Sequence, residues 1–289
     1  MSRITQRTIS DTALRGLQAN LSRMQTLQNQ LSSGKQISQP SDDPSATVSA
    51  MTLRSRRTSD EQYLRNIDTA SGRLTVTDNA LVQLSDRLRA VRDLVIQSRN
   101  GGLGTESQAA LSANVKAIKD EVVDLYNTTY LDRPIFGGTI GGVTTIDASG
   151  TYLGNDQPVN ARISSDAVLR IDVSGTAAGA NTVPGMIDQV AANIASPTGA
   201  TDADLSNIDG AVSQVLQSLG DVGARSARIS TTRDMVDSHR LDLTSRISIN
   251  EDVDMPQAMM NLSAQQVGYQ AALQSAAKIQ QVSLVDFLK

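Results

Sequence analysis

The sequence predicts a mainly α-helical protein with a β-rich insertion: an elongated antiparallel helical bundle or coiled coil built from the N- and C-terminal segments, with a small central β domain. Three observations predict it. Apolar residues recur at alternating spacings of three and four over long runs at both ends, the period of a coiled-coil seam. In the middle, glycines cluster and the apolar period shortens to two. The 289 residues include no Cys and no Trp, and aromatics make up 2%, so the apolar palette is Leu, Ile, Val, Ala and Met, which suits helix packed on helix.

Residues 1–43 read as a helix and a connector. Leu14, Leu17, Leu21, Met24, Gln28 and Leu31 keep the seam spacing with one polar break, and Gly34 stands where a left-handed residue ends a helix. The connector holds two adjacent carboxylates between prolines, Pro40-Ser41-Asp42-Asp43-Pro44. A calcium loop would need further oxygen ligands at alternating positions and a terminal Glu, which Pro44-Ser45-Ala46 does not supply. The same residues make a helix start: Asp43 as N-cap, Pro44 as the first helical residue, and Asp42 against the positive end of the helix dipole.

Residues 44–133 predict a long helical hairpin. Its first arm carries Leu53, Arg56, Asp60, Tyr63, Ile67, Ala70, Leu74, Thr77, Leu81, Leu84, Leu88, Val91 and Val95 on one grid. Asn100-Gly101-Gly102 reads as the turn. Thr105 and Gln108 have capping-box spacing, and Leu111, Val115, Ile118, Val122 and Leu125 continue the period in the second arm. Residues 134–200 predict a β-rich outer domain, with strand-like "VNARIS" and "VLRIDVSG", a short helix near Met186 to Ala195 and a polar linker. Its glycine-rich turns suggest a tolerant, outward-facing module. Residues 201–250 return as one long helix through Leu205, Ile208, Val212, Val215, Leu219, Val222, Ile229, Val236, Leu243 and Ile247, with Ser226, Arg233 and Arg240 in the remaining slots. Gly220 and Gly223 weaken it locally and permit a close approach or bending. Residues 251–289 form a last helix with Met259, Leu262, Tyr269, Leu273, Ala276, Ile279 and Leu284 on its apolar face and Gln266 as a polar slot. To bury their stripes, the first and last helices must find each other or a neighbouring molecule.

Enzyme chemistry is not predicted. His239, the one histidine, stands off the apolar grid among charged neighbours and reads as a surface residue. The central segment offers only scattered Asp147, Asp156, Asp166, Asp172 and Asp188, with no His or Cys beside them. "NGGLGT" and "FGGTIGG" lack the Lys-Ser/Thr ending of a phosphate-binding loop. Net charge is -4, and the densest basic run, Arg54, Arg56 and Arg57, reads as a solvated helix face, so nucleic acid is not expected. Neither is a membrane span. "MSRITQRTIS" lacks the apolar stretch of a cleaved signal peptide.

"LSSGKQISQPSDDPSA", Leu31 to Ala46, resembles the N-terminal signature of the bacterial flagellins and their hook-associated relatives. Three further stretches agree: "NTTYLDRPIFGGT", the looser "YLGNDQPVNARISSDAVLRIDVSG", and the C-terminal "LSAQQVGYQAALQSAAKIQQVSLVDFL". Flagellins tend to carry "DDAAG" where this chain has Asp42-Asp43-Pro44-Ser45-Ala46, which points to the hook-filament junction members of the family; a short flagellin is the alternative. The resemblance implies a structural protein of the flagellum with no cofactor and no metal, secreted without a cleaved signal peptide through the flagellar type III apparatus. Its implied partners are further copies of itself in a ring, the preceding junction protein, flagellin and an export chaperone. The expected assembly interface is Leu14, Leu17, Leu21, Met24, Leu31, Met259, Leu262, Tyr269, Leu273, Ile279 and Leu284. The expected corner motif is Gly34, Pro40, Ser41, Asp42, Asp43 and Pro44.

Overall fold

A computed structural model describes residues 2–99, 104–142, 144–147, 149–197 and 199–287; the side chains of 2–7, 9, 10 and 279–287 are outside that description. The expected turn at Asn100-Gly101-Gly102 lies outside the described residues. Among the described residues there are six helices: α1 (Ser2–Ser33), α2 (Pro44–Arg99), α3 (Thr105–Tyr126), α4 (Val183–Ala195), α5 (Asp202–Glu251) and α6 (Met255–Phe287). Four short strands, β1 (Thr129–Tyr130), β2 (Arg133–Pro134), β3 (Asn160–Arg162) and β4 (Val168–Arg170), lie between α3 and α4. They form two separate antiparallel ribbons, β1 with β2 and β3 with β4. In the first ribbon Leu131 and Asp132 take φ of 49° and 59°. Positive φ at both turn residues matches the twist of the flanking strands.

The chain divides into two compact units, residues 1–58 with 240–289, and residues 59–239. In the second unit α2 supplies Ile67, Leu74, Leu81, Leu84, Leu88, Val91 and Val95, all buried, and α5 supplies Ile208, Val215, Val222, Ile229 and Val236. Their polar pairs run in opposite sense along the two helices: the ion pairs Arg99 with Asp202, Arg92 with Asp209 and Asp68 with Arg233, then the Asp60 carboxylate against the His239 ring. Residue numbers fall along α2 as they rise along α5, which is the antiparallel pairing that the two seams require. Thr77 fills its buried seam slot by donating its hydroxyl to Arg73 O within the helix, at 2.9 Å.

Several seam slots differ from the sequence reading by one position. Arg56 is exposed and Arg57 half-buried; Ser226 and Arg233 are exposed, and Arg225 is half-buried instead. A long side chain at a seam edge can cover apolar surface with its stem and send its charge outward. Arg225 instead turns its guanidinium to the backbone, donating to Asp172 O. Thr105 does not cap α3: Gly104 is the N-cap residue and no side-chain cap bond forms. A Cβ added at Gly220 or Gly223 would meet nothing within 4 Å beyond the helix's own backbone, so neither serves a close approach. Gly72 does, since a Cβ there would collide with the Tyr130 hydroxyl.

The central segment is not separable decoration. Ile135, Phe136, Ile146, Ile163, Val173 and Ala178, with Val183, Ile187 and Ile194 of α4, belong to the same buried cluster as α2, α3 and α5. Tyr126 lies within it, its ring 5.6 Å from Phe136 in an edge-to-face arrangement and its hydroxyl donated to Ala178 O at 2.7 Å. Burial pushes that phenol far above its usual pKa. Arg73 of α2, itself buried, donates from Nη2 to Pro134 O at 2.8 Å and so fixes the entry to the segment. Burial pulls the Arg73 pKa down, against the opposing pull of Asp172. Glycine spacing, on which the expectation of a tolerant, outward-facing module rested, reports turns but is silent on the apolar residues between them, which are buried in this cluster.

Candidate assembly surface and the corner that positions it

In the first unit α1 packs against α6. The half-buried row on α1 is Ala13, Leu17, Asn20, Met24, Leu27 and Leu31; on α6 it is Ala258, which is buried, then Leu262, Gln265, Tyr269, Ala272 and Ala276. Both rows alternate steps of four and three. Between them Gln265 Nε2 donates to Asn20 Oδ1 at 3.0 Å. Small residues let the backbones approach, and an amide pair can enter the seam because Asn20 Oδ1 gives Gln265 Nε2 an acceptor there.

The eleven expected interface residues therefore separate. Leu17, Met24, Leu31, Leu262 and Tyr269 are half-buried in or beside the α1 and α6 rows. Leu14 and Leu21 are 52% and 39% exposed, and Met259 and Leu273 are 55% and 44% exposed. Ile279 and Leu284 have side chains outside the described residues. The polar slots move too: Gln28 and Gln266 are exposed, while Asn20 and Gln265 occupy the seam. The predicted row through Leu14, Leu21 and Gln28 and the observed row share every second member. Sequence spacing could not choose between them, because α1 is apolar over more than one row.

The corner begins at Gly34, whose φ of 72° ends α1 while its N–H donates to Gln30 O at 2.8 Å. Asp43 Oδ1 accepts from Ala46 N at 2.9 Å and Pro44 is the first residue of α2. Asp42 differs from its expected part at the helix dipole. Its Oδ2 accepts from Ser38 N, Ser38 Oγ and Gln39 N at 3.0 to 3.1 Å, closing the loop over Pro40 and Ser41. The backbone N–H of Ser38, then that of Gln39, holds the Asp42 carboxyl below its usual pKa. The physical reason is proximity: the turn in which Asp42 donates to Gln39 O aims the side chain back along the connector.

A second junction meets this one. Between α5 and α6, Gln36 N donates to Glu251 O at 2.7 Å and Val253 N to Gly34 O at 3.0 Å, an antiparallel bridge centred on Lys35 and Asp252. Asp254 caps α6 through Gln257 N at 3.1 Å. Glu251 Oε2 accepts from Lys35 Nζ at 2.7 Å and from Arg54 Nη2, with its own side chain 5% exposed. Burial pushes the Glu251 carboxyl up, yet the hydrogen bonds from Lys35 and Arg54 outweigh it and leave the pKa below the usual range. Arg54 is thus a structural partner, where the basic run alone suggested a solvated face. No sequence pattern linked Lys35 to Glu251; an acidic last residue on a helix, unfavourable to the dipole, was the available signal.

No catalytic arrangement emerges at the residues weighed for one. His239 Nδ1 lies 2.7 Å from Asp60 Oδ2, so it is paired across α2 and α5 and not simply a surface side chain. The central acids also have structural partners: Asp147 with Ser149 and Thr151, Asp156 with Ser174 and Thr176, Asp166 with Ser165, Asp172 with Arg170, and Asp188 with Lys119. Among the described residues no group of His, Cys, Asp and Glu could hold a metal ion, and no helix is long and apolar enough to cross a membrane.

Comparison with known proteins places this arrangement. The chain is 22% identical to flagellar hook-associated protein 3 of Salmonella typhimurium over 98% of each chain. It is 25% identical to the flagellin of Bacillus subtilis over 93% of each. A solved structure of a putative flagellar hook-associated protein from Vibrio parahaemolyticus shares the fold, with a TM-score of 0.66 at 19% identity over 73% of this chain and 99% of that one. The models for the bacterial flagellin N-terminal and C-terminal helical regions match residues 4–138 and 205–288, which take in every helix except α4. With its paired end helices and most of its length so matched, the chain belongs to the bacterial flagellin family.

Proposed function

We propose that the chain is a structural subunit of the bacterial flagellum that joins hook to filament, polymerising through its terminal helices. The observation that carries this reading is the match to a hook-associated protein 3 along nearly the whole of both chains. The exposed Leu14, Leu21, Met259 and Leu273 support it, since α1 and α6 pair with each other and still leave apolar side chains to cover. In this reading residues 1–43 and 251–289 are the assembly segments, 44–133 and 201–250 the rod, and 134–200 the outer part. The proposed partners are further copies in a ring, the preceding junction protein on the hook side, flagellin on the filament side, and an export chaperone. Export runs through the flagellar type III apparatus, and assembly takes place outside the cell.

A second reading, a short flagellin that forms the filament itself, has the match to the Bacillus subtilis flagellin in its favour. Immunolabelling of intact flagella separates the two. A band confined to the hook-filament boundary is the expected result; label along the whole filament overturns the junction reading in favour of flagellin.

A further inference from the structure

Within the unit of residues 59–239, α2 and α5 lose their strong helix formers at one and the same level. The ion pairs Arg92–Asp209 and Asp68–Arg233 stand the same number of residues apart on both helices, so the register between them is uniform; Asp78 is level with Gly223 and Leu81 with Gly220. On α5 this level reads Ser218-Leu219-Gly220-Asp221-Val222-Gly223, and on α2 it reads Thr75-Val76-Thr77-Asp78-Asn79. Glycine is the poorest former of a helix interior after proline, and Thr, Val, Asp and Asn all rank low. Thr75 and Thr77 also turn their hydroxyls back to Ser71 O and Arg73 O, at 3.0 and 2.9 Å, a bond that favours bending. The two glycines meet no packing need, since a Cβ at either would touch nothing within 4 Å beyond the helix's own backbone. What they change is the helix itself.

Three side chains of α5 reach the backbone of the central segment from both sides of these glycines. Gln214 Nε2 donates to Thr176 O at 2.9 Å, Ser218 Oγ to Ala177 O at 3.0 Å, and Arg225 to Asp172 O. Residues 172–177 therefore span the weak level as a brace. On α2, Arg73 holds Pro134 O just before the weak stretch begins.

We propose that residues 75–79 and 218–223 form a compliant level of the α2–α5 pair, where the two helices bend or open first, and that residues 172–177 are the splint that limits it. Bending in a long helix concentrates where glycine and serine interrupt the ladder, and local opening begins where intrinsic stability is least. A displacement of the central segment is thus passed to α5 at one place. The device lies in the pair itself and does not depend on whether the chain sits at the junction or along the filament.

Hydrogen exchange of the full-length protein, read as protection factors, tests both parts. Residues 75–80 and 218–224 should be at least about tenfold less protected than residues 84–91 and 227–236 of the same helices. Gly220→Ala with Gly223→Ala, which the open space admits, should raise protection at 218–224 by about tenfold or more. Gln214→Ala with Ser218→Ala should lower it at 218–224 and 75–80 by about threefold or more, with the flanking stretches unchanged. Alanine is the better helix former at both positions, so a loss there reports the splint and not the helix. Protection at 218–224 equal to the flanks in the parent overturns the proposal, as do glycine replacements without effect. So does a Gln214, Ser218 variant whose protection is unchanged or falls evenly along both helices.

Discussion

Lys35 Nζ lies 2.7 Å from Glu251 Oε2, which ties the connector between α1 and α2 to the last residue of α5 across 216 positions of sequence. Arg54 reaches the same oxygen from α2. With the two backbone hydrogen bonds beside it, this carboxylate joins the corner that starts the long outgoing helix to the corner that ends the returning one.

Replacing Glu251 by Ala should destabilise the unit of residues 1–58 and 240–289 by about 1–2 kcal/mol, the range for charge-assisted hydrogen bonds reduced because both cations are partly solvated. Calorimetry of the full chain reads it as an earlier melting of that unit. The pH dependence has a definite sign. A carboxyl whose folded pKa is depressed contributes stability that is present above its unfolded value of about 4.5 and is lost as pH falls through the folded value. Glu251→Gln should therefore flatten the acid limb of the stability profile below that pH.

At the other side of the corner, Asp43→Ala removes the cap on α2 and should cost about 1 kcal/mol. Asp43→Asn or Asp43→Ser should recover most of it. Asp42→Ala should leave α2 intact and instead loosen residues 38–42, seen as faster amide exchange at Ser38 and Gln39, whose N–H groups its carboxylate accepts. Equal loss of α2 stability from both substitutions would contradict the separate roles of the two acids.

Core and exposed leucines should part company. Leu81→Ala, at a fully buried site, should destabilise the chain by about 2–5 kcal/mol. Leu14→Ser with Leu21→Ser should change monomer stability by less than about 0.5 kcal/mol, as exposed positions do, yet reduce incorporation into flagella. Incorporation at the parental level would remove these two residues from the proposed interface.

Excision of residues 134–200 should not leave a folded rod. It would strip Ile135, Phe136, Ile146, Ile163 and all of α4 from the shared cluster and leave Arg73 buried without its carbonyl acceptors. Circular dichroism and limited proteolysis should find the remainder unfolded, or aggregated, and a cooperative melt matching the parent would favour a tolerant, outward-facing module. Arg73→Met is the milder version: it should lower the melting temperature of the unit of residues 59–239 while leaving that of the other unit unchanged.

The helices were legible because burial on one face imposes a period that the sequence must carry. Leu74, Leu81, Leu88 and Val95 repeat every seventh residue, and all four are buried. Gly34 and Asp43 were legible for a similar reason, since chain direction can change there only with residues of particular backbone chemistry. What did not show was pairing at a distance. Lys35 and Glu251, Asn20 and Gln265, and Arg73 and Pro134 O meet only after folding, and nothing local marks one arginine or amide as the one that will be used. The α1 row was misread at Leu14 and Leu21 because two apolar rows adjoin, and only the position of α6 chooses between them.

The evenly opposed ion pairs of α2 and α5 bear on how such a chain can change in length. One residue inserted into either helix would rotate everything beyond it by about 100° and part Arg92 from Asp209 or Asp68 from Arg233, depending on the side. The rod can thus lengthen only by matched additions to both helices. Unmatched growth is confined to residues 100–104 and to the loops between Tyr126 and Asp202, so variation in size among such proteins should collect there.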